Sequence, residues 1–109
     1  MASVLEYLDR SGRSPYAAWF KGLHAEAAAK VVAALVQLSH DNFSRVEGVG
    51  SGVFEQKLNF GPGYRSYFGK DGDSLVILLG GGTKKRQEAD IKRAVERWHD
   101  YKLRKRQEI

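Results

Sequence analysis

The sequence predicts an α+β domain: two N-terminal helices, an antiparallel sheet of about four strands, and a C-terminal helix. Two observations carry this expectation. Apolar residues recur at helical spacing near both ends of the chain, and between them three short apolar runs are separated by Gly- and Asp-containing turns. Helices, then a meander of strands, then a helix form an α+β arrangement with the helices gathered on one side of the sheet. The whole of residues 1–109 reads as a single domain.

The elements follow in order. Residues 3–9 (SVLEYLD) are rich in Val, Leu and Tyr and read as a short strand. Ser14-Pro15 starts a helix, because a serine hydroxyl can accept from a free first-turn N–H and proline lacks a donor the first turn cannot use. Tyr16, Trp19, Phe20 and Leu23 then fall at helical spacing, with Gly22 as a break. A second helix over about 24–39 carries Leu23, Ala27, Val31, Ala34, Leu35 and Leu38 as one apolar stripe. Residues 39–52 hold three glycines at alternate positions and read as a loop. Strands follow at 53–60, bounded by Gly61-Pro62-Gly63, and at 64–69, ending in a Lys70-Asp71-Gly72-Asp73 turn. Residues 74–80 are apolar on both faces, as in a central strand. After Gly80-Gly81-Gly82, a helix begins near Lys85 and turns Ile91, Ala94, Val95, Trp98 and Tyr101 inward.

Composition restricts the chemistry. There is no cysteine, and the histidines are scattered, so disulfide and thiolate-zinc functions are excluded and no metal or other cofactor is expected. The longest apolar run, Leu75 to Leu79, falls far short of the roughly 20 residues of a membrane span, and no signal-peptide pattern opens the chain. A cytoplasmic protein without a membrane partner is expected. Charge is uneven: between Lys84 and Arg106 there are ten Lys/Arg against four acids, leaving eight basic and nine acidic residues elsewhere. A local cationic excess points to a polyanionic partner, the alternative being a solvated helix face with a basic tail.

Strand alternation gives these cations a geometry. Phe54, Leu58 and Phe60 share one face of 53–60, opposite Val53, Glu55, Lys57 and Asn59. Arg65 and Tyr67 share a face of 64–69, opposite Tyr64, Ser66 and Phe68. If the apolar faces meet the helices, Lys57, Arg65 and Tyr67 lie together on an open face, suited to an RNA backbone and a stacked base. The alternative is that Lys57 and Arg65 solvate the sheet and pair with Glu55. Gly80 to Gln87 joins a glycine-rich turn, a helix start and Lys84-Lys85-Arg86, a combination that favours anions. The alternative is a flexible, solvated loop, and the segment lacks the spacing of a nucleotide-triphosphate loop.

Several of these segments together resemble the phage-derived addiction-module killer proteins, a branch of the RelE/HigB/ParE toxin superfamily. They are Gly52-Val53-Phe54-Glu55, Phe60 to Phe68, Leu75–Leu79, the Gly-Gly-x-Lys-x-x-Gln of Gly81 to Gln87, and Asp90-Ile91 with Ala94. Gly12-Arg13-Ser14-Pro15 with Trp19, and Asn42-Phe43 with Val49 to Val53, belong to the same likeness. The resemblance implies a compact RelE-like fold and a toxin of a type II toxin–antitoxin system. It also implies metal-independent cleavage of mRNA on the ribosome, by attack of a 2′-hydroxyl on the adjacent phosphate.

The resemblance makes Lys57, Arg65 and Arg86 the catalytic candidates: Arg65 on the scissile phosphate, Lys57 as base or charge stabiliser, Arg86 on transition-state charge. Lys84 and Lys85 belong to the phosphate-binding loop, with Tyr64 and Tyr67 as stacking rings. His99 and Tyr101 are candidates for an acid or a further stacking ring. Glu55 occupies a position where some relatives have a lysine, and the tyrosine some relatives place early in the last helix is not evident near Glu88 to Asp90. The implied partners are a helix-turn-helix antitoxin, mRNA with the ribosome, and operator DNA reached through the antitoxin complex alone. Alternatives are a ParE-like inhibitor of DNA gyrase and a non-catalytic RNA-binding module.

Overall fold

In a computed structural model, residues 1–107 are described. The chain folds as α+β, in the order β1 (Ser3–Glu6), α1 (Pro15–Lys21), α2 (Ala25–Ser39), β2 (Val46–Gly50), β3 (Val53–Lys57), β4 (Tyr64–Lys70), β5 (Leu75–Thr83), a 3-10 turn (Lys84–Arg86) and α3 (Gln87–Gln107). The sheet has five strands in the order β1-β5-β4-β3-β2, antiparallel except that β1 runs parallel to β5. The expected antiparallel sheet of about four strands thus gains a fifth strand, and β1 joins it in the parallel sense.

The additional strand is β2, within the segment expected to be a loop. Gly50 pairs with Val53, so Ser51 and Gly52 form a two-residue hairpin loop with φ of 55° and 81°. Positive φ at both central residues matches the right-handed twist of the flanking strands. At Gly52 a Cβ would lie 2.8 Å from the indole nitrogen of Trp98, so this glycine serves both the turn and a close packing contact.

Helix starts follow the capping rules. The Ser14 hydroxyl accepts from the N–H of Ala17, and His24 Nδ1 accepts from the N–H of Ala27. Helices α1 and α2 cover one face of the sheet, with Tyr16, Val31, Leu38, Phe68 and Leu78 in its core. The second correction concerns α3. It packs on the opposite face, where Ala94 and Trp98 meet Tyr7, Val53, Tyr67, Ile77 and Leu79. The apolar residues of β5 on both faces require this, since a strand buried on two sides needs two layers.

Strand β5 extends beyond its apolar run, through the three glycines to Thr83. Gly80 to Gly82 form paired strand and not a turn: Gly82 lies opposite Arg65, and Gly80 opposite Tyr67. Each glycine admits one side chain against the backbone. A Cβ at Gly80 would lie 2.7 Å from Arg97 Nη1, one at Gly81 would overlap the Trp19 ring, and one at Gly82 would overlap the Asp90 carboxylate. Gly81→Ala therefore costs about 1–3 kcal/mol through overpacking. Urea unfolding checks this, and an unchanged midpoint would contradict the Trp19–Gly81 contact.

Polar contacts tie α3 to the segment that follows β1. The Tyr7 hydroxyl donates to Asp100 Oδ2 at 2.6 Å, and Arg10 and Arg104 approach the same carboxylate at 3.2 and 2.9 Å. The Tyr7 hydrogen bond, followed by the two arginine charges, holds the Asp100 carboxyl below its ordinary value of 3.8. A depressed folded-state value contributes stability above the ordinary value, and that contribution is lost as pH falls through it. Tyr7→Phe is thus expected to destabilise the protein near neutral pH, with the gap narrowing below pH 3.8. A pH series of melting temperatures reads the effect.

Candidate phosphate-binding site

The sheet register brings the expected cations to one end of the molecule. Lys57, the last residue of β3, is the direct partner of Arg65, the second residue of β4, and Arg65 is the direct partner of Gly82 near the end of β5. The Lys84–Arg86 turn follows Thr83, and the Lys84 N–H donates to the Gly63 carbonyl at 2.9 Å, fixing that turn beside the start of β4. Lys57, Arg65 and the basic turn therefore meet where β3 and β5 end and β4 begins. Lys84, Lys85 and Arg86 are all exposed.

Arg65 does not stand on an open face. It is 7% exposed, and its Nη1 lies 2.6 Å from Oε1 of Glu55, which is fully buried. The second Glu55 oxygen accepts from Gln87 Nε2 at 2.6 Å. This chain of contacts links β4, β3 and the first residue of α3. Its origin is the position of α3, which covers the sheet face that sequence alternation had left uncovered, so Arg65 and Glu55 are buried together. Lys57 is different. Its side chain is 44% exposed, and its Nζ lies 3.0 Å from Oε2 of Glu47, itself 65% exposed.

The stacking assignments do not survive. Tyr67 is completely buried beneath α3, where burial and then the Glu55 charge push its hydroxyl well above the ordinary tyrosine value. Tyr64 is buried on the other face, among Trp19 and Phe60. Neither ring can receive a base. His99 and Tyr101 lie well away from the cations. About 12 residues of helix separate Gln87 from His99, or roughly 18 Å at 1.5 Å per residue. The Tyr101 hydroxyl donates to Asp71 Oδ2 at 2.7 Å, in the β4–β5 turn at the opposite end of the sheet, while its ring stacks on Trp98. These two residues do not join the site.

Sequence reading missed Glu47 and Gln87, and gave pairing with Glu55 only as an alternative shared by Lys57 and Arg65. Alternation places Glu55 and Lys57 on one face, but choosing Arg65 and not Lys57 as the partner of Glu55 requires the strand register and the position of α3. Glu47 lay in a segment read as loop. Among the described residues, no cluster of three or more His, Asp or Glu could hold a metal ion, and no helix is long and apolar enough to cross a membrane.

The arrangement can bind an anion. Four cations, three of them exposed on one short turn and the fourth Lys57 two strands away, lie at the end of the sheet whose buried arginine is already charge-matched. Arg65→Ala would leave Glu55 as an uncompensated buried charge, at a cost of about 3–5 kcal/mol, whereas Glu55→Leu with Arg65→Met should be near neutral. Chemical denaturation of the single and double variants checks this, and additive losses would contradict a buried pair.

No family model matches the chain. It is 40% identical over 77 residues to an uncharacterized protein of Haemophilus influenzae, an alignment covering 70% of this chain and 78% of that protein.

Proposed function

The chain belongs to the same family as that Haemophilus influenzae protein, and from this premise and the site we propose that it is a toxin of the RelE/HigB type, a metal-independent endoribonuclease that cuts mRNA. The observation that supports the reading is the meeting of Lys57, Arg65 and the Lys84–Arg86 turn at one end of the sheet, set by the register Lys57–Arg65–Gly82. The likeness in sequence to the addiction-module killer proteins supports it independently.

In this reading the 2′-oxygen of RNA attacks the adjacent phosphorus, the bond from phosphorus to the 5′-oxygen breaks, and a 2′,3′-cyclic phosphate remains. The 2′-hydroxyl proton needs an acceptor within reach, and the exposed Glu47 carboxylate beside Lys57 supplies one. The Lys57 ammonium donates toward the leaving 5′-oxygen. Arg86, with Lys84 and Lys85, carries the negative charge that accumulates on the non-bridging oxygens. Arg65 serves as a positioning residue: locked to Glu55, it fixes the start of β4 beneath the reacting phosphate. A helix-turn-helix antitoxin and the ribosome are the partners this reading requires, with the cytoplasm as its compartment.

A second reading, a non-catalytic RNA-binding module, is favoured by one observation: the Arg65 charge is already matched by Glu55, leaving a binding surface of Lys57 and the basic turn. One experiment separates the two. Primer extension on mRNA after induction is expected to show discrete new 5′ ends, and Arg86→Gln, an exposed substitution, should lower cleavage roughly 10²–10³-fold while the fold is retained. Intact messages overturn the nuclease reading. DNA breaks with intact message would point to gyrase inhibition.

A further inference from the structure

A second cation-lined groove adjoins this end of the sheet along the outer edge of β5. Strand β1 pairs with β5 only as far as Leu78, so the stretch from Gly80 to Thr83 has no strand on its outer side. A cleft of about 340 Å³ follows this bare edge, walled by Trp19 from α1 and by Arg86, Asp90, Arg93 and Arg97 from the 3-10 turn and α3.

The edge offers donors. The Lys84 N–H is directed to Gly63 and the Tyr64 carbonyl accepts from Leu58, just after β3, so Lys84 and Arg65 use their backbone groups across the β4–β5 ladder. Antiparallel pairing alternates, so the N–H and C=O groups of Gly81 and Thr83 point away from β4, into the groove. The wall is fixed as well. Arg97 Nη1 donates to the Leu79 carbonyl at 3.0 Å, and Arg93 Nη2 lies 2.9 Å from Asp90 Oδ1. Trp19, Asp90 and Arg97 each press on a glycine of β5 that leaves room for them.

The electrostatics are unbalanced. Three arginines face one carboxylate, and among the described residues Arg97 and Arg86 form no ion pair with an acid. Burial, and then the neighbouring Arg93 charge, make the Arg97 guanidinium easier to deprotonate than usual. An anion in the groove would relieve that repulsion. Guanidinium groups and free backbone N–H groups together suit a phosphate more than a lone carboxylate, because a phosphodiester presents several acceptor oxygens at once.

We propose that this groove is a phosphate subsite for single-stranded RNA, holding the phosphodiester next to the one bound at Lys57 and Arg86. The proposal rests on the RNA-cleaving reading for the identity of the strand. Gly82, on the groove's floor, pairs directly with Arg65, and Arg65 with Lys57, so the groove and the Lys57 position lie two strands apart, about 10 Å at the backbone. Arg86 borders both.

The test uses the full chain and non-cleavable 2′-O-methyl oligonucleotides, a dinucleotide with one phosphodiester and a trinucleotide with two. The trinucleotide is expected to bind more tightly and to shift the amide resonances of Gly81 and Thr83. Arg93→Gln and Arg97→Gln should each weaken trinucleotide binding roughly tenfold and leave the dinucleotide nearly unaffected, as loss of one charge-assisted contact implies. Arg97 also supports Leu79, so Arg93→Gln, at an exposed position, keeps the test decisive if the Arg97 variant fails to fold.

Unchanged trinucleotide affinity in Arg93→Gln, with Gly81 and Thr83 unmoved, overturns the subsite even if mRNA is cleaved. Conversely, the expected shifts and the tenfold loss without any cleavage of natural RNA uphold the subsite and remove the nuclease reading. Inorganic phosphate moving Gly81 and Thr83 as strongly as the trinucleotide overturns it in favour of a general anion site. A polyglutamate peptide doing so, where the trinucleotide does not, overturns it in favour of a protein partner.

Discussion

The ion pair between Glu55 and Arg65 is the constraint around which the rest of this fold is arranged. Two charges withdrawn from water carry a desolvation cost that only close geometry and further hydrogen bonds can offset. Here Arg65 Nη1 takes one Glu55 oxygen and Gln87 Nε2 takes the other, each at 2.6 Å. The partners come from β3, β4 and the first residue of α3, so satisfying the pair fixes where α3 begins. Once α3 starts there, Ala94 and Trp98 cover Tyr67, Ile77 and Leu79, and the cations of the preceding turn are left exposed at the end of the sheet. A buried pair of this kind supplies specificity of arrangement more than net stability.

The glycines of β5 do a related job on the other side of α3. Without Cβ atoms at 80, 81 and 82, the strand backbone admits Arg97, Trp19 and Asp90 at distances no other residue would allow. Both faces of that stretch are therefore walled while its outer edge stays unpaired. Unpaired edges invite association, and natural sheets usually blunt them with charge or cover them. This one is flanked by arginines, a choice that discourages pairing with another apolar strand and favours an anionic ligand.

Much of the fold was legible in the sequence because it depends on local rules. Ser14-Pro15, the α2 stripe, the Asp71-Gly72 turn and the inner face of α3 from Ile91 to Tyr101 all follow from capping, turn chemistry or 3.6-residue periodicity. The features that were not legible depend on contacts distant in sequence. Ser51-Gly52 reads as loop until Val46–Gly50 is seen to pair with β3, and Gly80 to Gly82 read as a turn until Trp19 and Asp90 are seen to require them. The open face assigned to Arg65 and Tyr67 came from placing all helices on one side, and nothing local in α3 states which side it will take. For the same reason the convergence of Lys57 with the basic turn could be anticipated from alternation and connectivity, whereas the burial of Tyr64 and Tyr67 could not.

Taken together, the buried pair, the exposed basic turn and the half-open edge of β5 form the surface on which the proposed function would place a polyanion, at one end of the sheet and away from the Trp98–Tyr101 stack at the other. A crystal structure of the full chain with a non-cleavable 2′-O-methyl RNA tests that description most directly. The account predicts a phosphate lying between Lys57 and Arg86, above an undisturbed Glu55–Arg65 pair. RNA seated instead beside Lys70 and Lys102, at the far end of the sheet, would contradict it.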